Sequence, residues 1–275
     1  MKNPLVINPK QEKDKIVKFL KKIFKEQKIN KVVLGLSGGV DSTAVLYLLK
    51  EVLPRKNIYA VQMDYKPRKK TDINLEGVNV VNISIKNIVD QFEKSVVKGE
   101  GIEFFLDSGL RNCEEVPAEI KKFDTEPLKK ARLGNIMARV RMIILFDLSK
   151  KLGALVCGTE NKSEKLLGYF TRFGDAASDL EPLSHLYKTE VYQLAHYLKV
   201  PEAIISQSPT AGLWEGQTDE NDFGFTYREA DLVLYQVVDL KKNVKQLKKN
   251  FPNFEKIIMK MRNNQFKQAT PYTLK

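Results

Sequence analysis

Only two of the 275 residues are cysteine, Cys113 and Cys157. Two thiols cannot form a disulfide framework, so they are read as reduced thiols in a cytoplasmic protein. The two histidines, His185 and His196, stand alone and are read as structural. No run of about 18 apolar residues occurs, which excludes a membrane-spanning helix. The opening stretch, MKNPLVINPKQEKDK, lacks the apolar core of a secretion signal.

What is present suits a folded enzyme-sized chain. Hydrophobic residues make up 43%, enough for a core, and the length allows one large α/β domain or two small ones. Lys and Arg number 46 against 34 Asp and Glu, a net charge of +12. Such a charge suits nucleic acid and highly charged nucleotides equally well, so it does not decide between them.

The most informative stretch is KVVLGLSGGVDSTAVLYLLKEVL, residues 31–53. Val32, Val33, Leu34 and Leu36 form an apolar block too short for a helix, which predicts a buried strand. Gly38 and Gly39 then permit a sharp turn with no Cβ in the way of a ligand. Asp41 and Ser42 fall where a helix would be capped, and Val45, Leu46, Leu48 and Leu49 supply its apolar side. Strand, glycine turn and helix N-terminus together make an anion site. A P-loop is excluded because no Lys precedes Ser42, and Gly35, Gly38 and Gly39 do not follow GxGxxG spacing. The plainer alternative is a tight βα turn with an ordinary cap. The run Ser37-Gly38-Gly39-Val40-Asp41-Ser42 resembles the SGGxDS signature of the ATP pyrophosphatase (PP-loop) family. That resemblance implies that the loop holds the β- and γ-phosphates of ATP, which is cleaved between α and β.

Elsewhere, helical periodicity covers 11–28, and IYAVQMD (58–64) reads as a strand ending at Asp64. The basic cluster Lys66, Arg68, Lys69 and Lys70 reads as a solvated loop. VNVVNIS (78–84) is a third strand, followed by a helix over IKNIVDQFEKSVV. Residues 98–125 have weak periodicity and read as loop or short helices. A long apolar stripe runs from Pro127 to Lys150, with Arg132 and Arg141 read as solvated. ALVCGT (154–159) is a fourth strand, and helices fill 227–262. Strands alternating with helices predict an α/β fold: a doubly wound, mostly parallel sheet flanked by helices.

The densest polar stretch follows Thr159 and threads Leu166, Leu167, Tyr169, Phe170 and Phe173 through its charges, which points to an ordered site. Glu164 is placed to share a divalent metal with Asp41, or to act as a capping or salt-bridging glutamate. The series GTENKSE…GY.T..GD…D..PL..L.K, with SPTAGLWEGQTDENDFGFTYREAD, resembles the ammonia-dependent NAD synthetases, over about Gly35 to Lys267. This resemblance implies an adenine nucleotide alpha hydrolase-like fold, one synthetase domain over 1–275, and a homodimer. It implies ATP-dependent amidation of nicotinic acid adenine dinucleotide (deamido-NAD) by ammonia, through an adenylate, with no nucleic acid or membrane partner.

Carried over by position, the resemblance places ATP at Gly35, Leu36, Ser37, Gly38, Gly39, Val40, Asp41, Ser42, Thr159, Lys188 and Thr210. It places Mg²⁺ on Asp41 and Glu164, with Asp41 and Lys188 as catalytic groups. It places deamido-NAD against Arg139, Arg172, Asp179, Phe266 and Lys267. Position 172 is lysine in some relatives, and Gln265-Phe266-Lys267 falls where some have a His-Lys pair. Residues 206–225 are expected to order over ATP, with Trp214 as a reporter. No nucleophilic cysteine with a glutaminase domain around it is visible, which leaves ammonia, free or supplied by a separate subunit, as the nitrogen source. The competing readings are a tRNA-modifying pyrophosphatase and a non-catalytic ATP sensor.

Overall fold

The apolar block after Lys31 divides its side chains between two cores, as a strand's two-residue period requires. Val32 and Leu34 pack into one cluster and Val33 into another. This strand, β1 (Val32–Gly35), lies inside a four-stranded parallel sheet. The other elements are β2 (Ile58–Asp64), β3 (Asn79–Ser84), β4 (Phe104–Leu106), β5 (Gly109–Arg111) and β6 (Leu155–Cys157). The sheet order is β3-β2-β1-β6, with Val32 opposite Ile58 on one side and Leu155 on the other. In this computed structural model the described residues are 4–66, 73–97, 104–106, 109–111, 126–210, 212, 216–269 and 271–274. Arg68, Lys69, Lys70, Cys113 and Trp214, singled out above, lie outside them.

The helices are α1 (Pro9–Gln27), α2 (Val40–Lys50), α3 (Lys86–Phe92), α4 (Glu126–Leu152), α5 (Lys162–Leu167) and α6 (Lys188–Tyr197). They are followed by α7 (Glu202–Ile205), α8 (Asp219–Phe223), α9 (Tyr227–Leu234), α10 (Val244–Leu247) and α11 (Phe254–Asn263). Helix α1 starts where Asn8 Oδ1 accepts the Gln11 N–H beside Pro9, and it stops at Lys28 in the left-handed region. Its Ile16, Leu20 and Phe24, spaced by four, join α2 and α6 on one face of the sheet. Helices α3 and α4 cover the other face through Val89, Met137 and Val140. A third cluster gathers Leu167, Tyr187, Tyr227, Val233, Phe254 and Ile257, joining α5 to the C-terminal helices.

Helices on both faces of a parallel sheet are the doubly wound architecture expected. Three readings needed correction. Between 98 and 125, β4 and β5 pair antiparallel, in place of the loop or short helices expected. The helices predicted near 97 and 237 loosen into π-helical turns at Glu93–Val97 and Tyr235–Asp239. Arg141 is half-buried, its Nε donating to the Met63 carbonyl at 3.2 Å, so it is not a solvated arginine. An apolar stripe locates a helix but does not show which of its polar side chains meets a neighbouring strand end.

From β1 the chain moves outward to β2 and β3, then returns to β6 on the opposite flank of β1. The carboxyl ends of β1 and β6 therefore border a topological switch point, where open α/β sheets bind ligands. Helix α2 carries Leu46, fully buried between α1, the sheet and α6. Leu46→Ala should cost about 2–5 kcal/mol, read as a lower urea midpoint with an unchanged m-value.

Candidate active site

The turn after β1 is built by hydrogen bonds within itself. Gly38 has φ of 82°, a conformation other residues resist. The Gly39 N–H donates to Ser37 Oγ at 3.2 Å, the Ser37 and Ser42 hydroxyls meet at 3.0 Å, and Thr43 Oγ1 donates to the Gly39 carbonyl at 2.9 Å. The N-cap of α2 is Gly39, which has no side chain to offer. Asp41 and Ser42 therefore do not cap the helix, as the sequence led us to expect, but occupy its first turn. The Asp41 carboxylate is thereby available to reach across to β6.

There it meets two partners. Asn161 Nδ2 donates to Asp41 Oδ1 at 3.0 Å, and Lys188 Nζ donates to Asp41 Oδ2 at 2.5 Å. Lys188 Nζ also donates to Glu164 Oε1 at 3.2 Å, so one ammonium joins two carboxylates. Glu164 is in addition the third residue of a capping box on α5. The Glu164 N–H donates to Asn161 Oδ1 at 3.0 Å, and Glu164 Oε2 accepts the Asn161 N–H at 3.3 Å. The capping and salt-bridging reading of Glu164 is thus realised, and it also turns the carboxylate toward Asp41. Burial would lower the Lys188 pKa, but the Asp41 and Glu164 carboxylates outweigh it and raise it, so the ammonium stays charged. Burial pushes Glu164 up, against the pull of Lys188.

Several residues the sequence reading passed over hold this constellation. Lys188 N–H donates to Ser163 Oγ at 2.8 Å, Ser163 Oγ donates to Asp231 Oδ1 at 2.5 Å, and Thr189 N–H donates to Asp231 Oδ2 at 2.9 Å. Asn161, Ser163 and Asp231 are all fully buried. The Asn-x-x-Glu spacing of Asn161 and Glu164 was a visible helix-start signal. Nothing local marks Asp231, whose partners lie 42 and 68 residues away.

Of the remaining predicted positions, Leu36 is buried and its N–H donates to Val61 O at 2.8 Å, so it supports the turn from below. Gly35 packs against Leu145 of α4, and Val40 is buried in the core. Thr159 lies in the turn after β6, and Thr210 is exposed with its Oγ1 accepting the Gly212 N–H at 3.0 Å. Arg139, Arg172, Phe266 and Lys267 come together as a second group. Arg139 Nε donates to the Arg172 carbonyl at 3.3 Å, and the Arg172 guanidinium lies 5.1 Å from the Phe266 ring centroid. Lys267 Nζ donates to the carbonyls of Gly168 at 2.7 Å and Phe170 at 3.1 Å. Asp179 is held differently, its Oδ2 accepting the Val156 N–H of β6 at 2.7 Å.

These positions belong to a pattern that extends along the whole chain, since a profile described as NAD synthase matches residues 12–271. The chain belongs to the NAD synthase family. It is 39% identical over 276 residues to the NH(3)-dependent NAD(+) synthetase of Fusobacterium nucleatum, covering 99% of this chain and 98% of that one. To the NH(3)-dependent NAD(+) synthetase of Thermococcus sibiricus it is 41% identical over 232 residues, 82% of this chain and 80% of the other. Among solved structures it is similar to the NH3-dependent NAD synthetase of Campylobacter jejuni, with TM-score 0.72 and 29% identity over 98% of this chain and 100% of that one. It is similar to the NMN synthetase of Francisella tularensis at TM-score 0.73 and 29% identity, over 98% and 99% of the two chains. Nothing in this family membership favours the tRNA-modifying or sensor readings.

Beside the site lies a second acidic pair. Glu181 Oε2 accepts the Glu160 N–H at 2.9 Å and Oε1 accepts the Ser178 hydroxyl at 2.7 Å. The Glu181 carboxylate lies where a Cβ at position 158 would be, so any larger residue there would displace it. Burial pushes Glu160 up to about 8 and Glu181 up to about 7, from an ordinary 4.5. The raised values favour the protonated acids in the folded state. Their contribution is therefore complete below pH 4.5 and is lost as pH rises through about 7 to about 8. Urea midpoints should fall across that window, and Glu181→Gln should flatten the fall.

Proposed function

We propose that this member of the NAD synthase family is an ammonia-dependent ligase acting on deamido-NAD and ATP, as a single domain over residues 1–275. The carboxylate of the nicotinic acid ring attacks the α-phosphorus of ATP. The bond from that phosphorus to the bridging oxygen breaks, and pyrophosphate leaves. Ammonia then attacks the acyl carbon of the adenylate, AMP departs, and one proton of the incoming nitrogen is lost to give the amide. The observation that carries this reading is the buried Asp41–Lys188–Glu164 constellation at the carboxyl ends of β1 and β6, beside a glycine turn that opens a helix.

The roles follow from the chemistry of each group. The turn from Gly35 to Ser42, at the N-terminus of α2, suits the β- and γ-phosphates of ATP. Thr159 and Thr210 supply hydroxyls to the nucleotide. The Lys188 ammonium, kept charged by its carboxylates, neutralises charge that develops on the departing pyrophosphate. Arg139, Arg172, Asp179, Phe266 and Lys267 are proposed to meet the dinucleotide. Arg172 and Phe266 supply a guanidinium over an aromatic ring, suited to phosphate and to a base.

The residues also fit Mg²⁺. Two largely buried carboxylates, Asp41 and Glu164, already converge on one cationic atom, Lys188 Nζ. Among the described residues no group of three or more His, Cys, Asp or Glu forms a closed metal cage. That suits a cation that takes one or two carboxylates and completes its shell with phosphate oxygens and water. Bound there, Mg²⁺ would offset charge on the phosphate oxygens.

The protein is further proposed to be cytoplasmic and to form a homodimer. Cys157 is buried and unpaired, and no described helix is long and apolar enough to cross a membrane. Helix α4 leaves Leu128 and Ile143 41% and 60% exposed, apolar surface of the kind a second copy would cover.

Purified protein with Mg·ATP should release pyrophosphate only when deamido-NAD is added, and should form NAD with ammonium but not with glutamine. Nicotinic acid mononucleotide serves as a competing substrate, because the Francisella tularensis neighbour is an NMN synthetase. Faster turnover of the mononucleotide would overturn the dinucleotide assignment. Asp41→Asn and Glu164→Gln should each lower kcat at least about 100-fold. Wild-type kcat in either variant would remove that residue from the mechanism.

A further inference from the structure

Asp219, at the start of α8, is 3% exposed, and no part of the reaction above uses it. Its Oδ2 accepts the Tyr227 hydroxyl proton at 3.0 Å, and the Tyr169 hydroxyl also interacts with the same carboxylate. A carboxylate buried this deeply is costly, and such groups persist where their charge or geometry is needed. The charge that faces it belongs to Lys188. Lys188 Nζ lies 5.3 Å from the centroid of the Tyr227 ring, whose hydroxyl is the group bonded to Asp219. A phenol that donates its proton to a carboxylate has a more electron-rich ring, and such a ring attracts a cation over its face more strongly. Burial pushes the Asp219 carboxyl up, and Lys188 is the strongest influence opposing that rise. The main chain of the same residue is also engaged, since the Asp219 N–H donates to the Pro209 carbonyl at 2.9 Å, next to Thr210.

We propose that Asp219 is a positioning residue of the reaction centre. Through Tyr227 it fixes the third side of the Lys188 ammonium, whose other sides are held by Asp41 and Glu164. Through its N–H it holds the segment that carries Thr210. This rests on the roles assigned to Lys188 and Thr210 under the proposed function. Asp231 does a different task, since it holds the main chain at Thr189 and the Ser163 hydroxyl.

The test compares wild type with Asp219→Asn, which keeps an acceptor for the Tyr227 proton and removes the charge. Tyr227→Phe, which keeps the ring and removes the donor, is the second variant. Two readouts are taken on each protein that folds to the wild-type melting temperature within a few degrees. One is steady-state amidation. The other is the side-chain ammonium signal of Lys188 in ligand-free protein labelled with ¹⁵N-lysine, assigned by its loss in Lys188→Arg. We expect kcat to fall about tenfold or more, by analogy with the outer partners of metal ligands. The KM for the dinucleotide should stay unchanged, and the Lys188 signal should shift or broaden. A kcat and a Lys188 signal both at wild-type values in Asp219→Asn would overturn the proposal. A fall in kcat with the Lys188 signal unmoved would overturn it too, because Asp219 would then act elsewhere. If Asp219→Asn does not fold, the same outcomes are read from Tyr227→Phe. If wild type forms no NAD, the proposed function fails, and the ammonium signal still decides whether Asp219 positions Lys188.

Discussion

An ammonium buried to 3% exposure has to be neutralised where it stands, and Lys188 imposes that requirement on the rest of the molecule. Its partners come from far apart in the chain: Asp41 lies 147 residues away and Glu164 lies 24 residues away. Bringing them within 3.2 Å fixes the relative placement of α2, α5 and α6, and so of the sheet edge that α2 leaves and the segment that follows β6. Removing one member of a buried ion pair commonly costs about 3–5 kcal/mol, because the partner is left charged and unpaired. The hydrogen bonds from Asn161, Ser163 and Asp231 lower that risk by leaving little freedom for any of the three charged groups.

The same constraint explains why the central turn is rich in glycine. With Gly39 at the N-cap, no side chain competes for the first N–H groups of α2, and Asp41 turns away from its own helix toward Asn161 and Lys188. A serine or aspartate cap would have satisfied one of those donors and removed it from the proposed phosphate site. Local helix stability is therefore lower than an optimal cap would give, and the deficit is met by packing. Val45, Leu46, Leu48 and Leu49 are all fully buried.

Features that depend on short-range pattern were legible. The strands at 32–35, 58–64 and 79–84 and the helix beginning beside Pro9 announce themselves by period, by β-branched residues or by caps. The turn from Ser37 to Ser42 was legible because Gly38 and Gly39 mark a sharp turn between a strand and a helix. Features that depend on tertiary contact were not. Nothing in the local sequence distinguishes Asp231 or Asp219 from the acids around them, and only the fold brings them against Ser163 and Tyr227. Arg141 looked solvated because an exposed arginine and one bonded to a strand end have the same neighbours in sequence. Helix interruptions such as Tyr235–Asp239 leave no compositional mark, since the residues remain good helix or strand formers.

Arg172 and Phe266 are best understood as one feature. A cation over an aromatic face is attracted by the ring, and a guanidinium adds a plane with several fixed donors. The Arg172 guanidinium lies over the Phe266 ring, 5.1 Å from its centroid, and the Arg172 carbonyl accepts from Arg139, which ties α4 to the same patch. Lys267 cannot serve as a freely directed cation at the same time, because its ammonium is engaged by the Gly168 and Phe170 carbonyls at the end of α5. Burial lowers its pKa, with Arg172 pulling the same way and Asp175 opposing them, so the lysine is anchored in a site that already disfavours extra positive charge. Phe266 carries no charge of its own, which leaves Arg139 and Arg172 to present the positive charge of the patch.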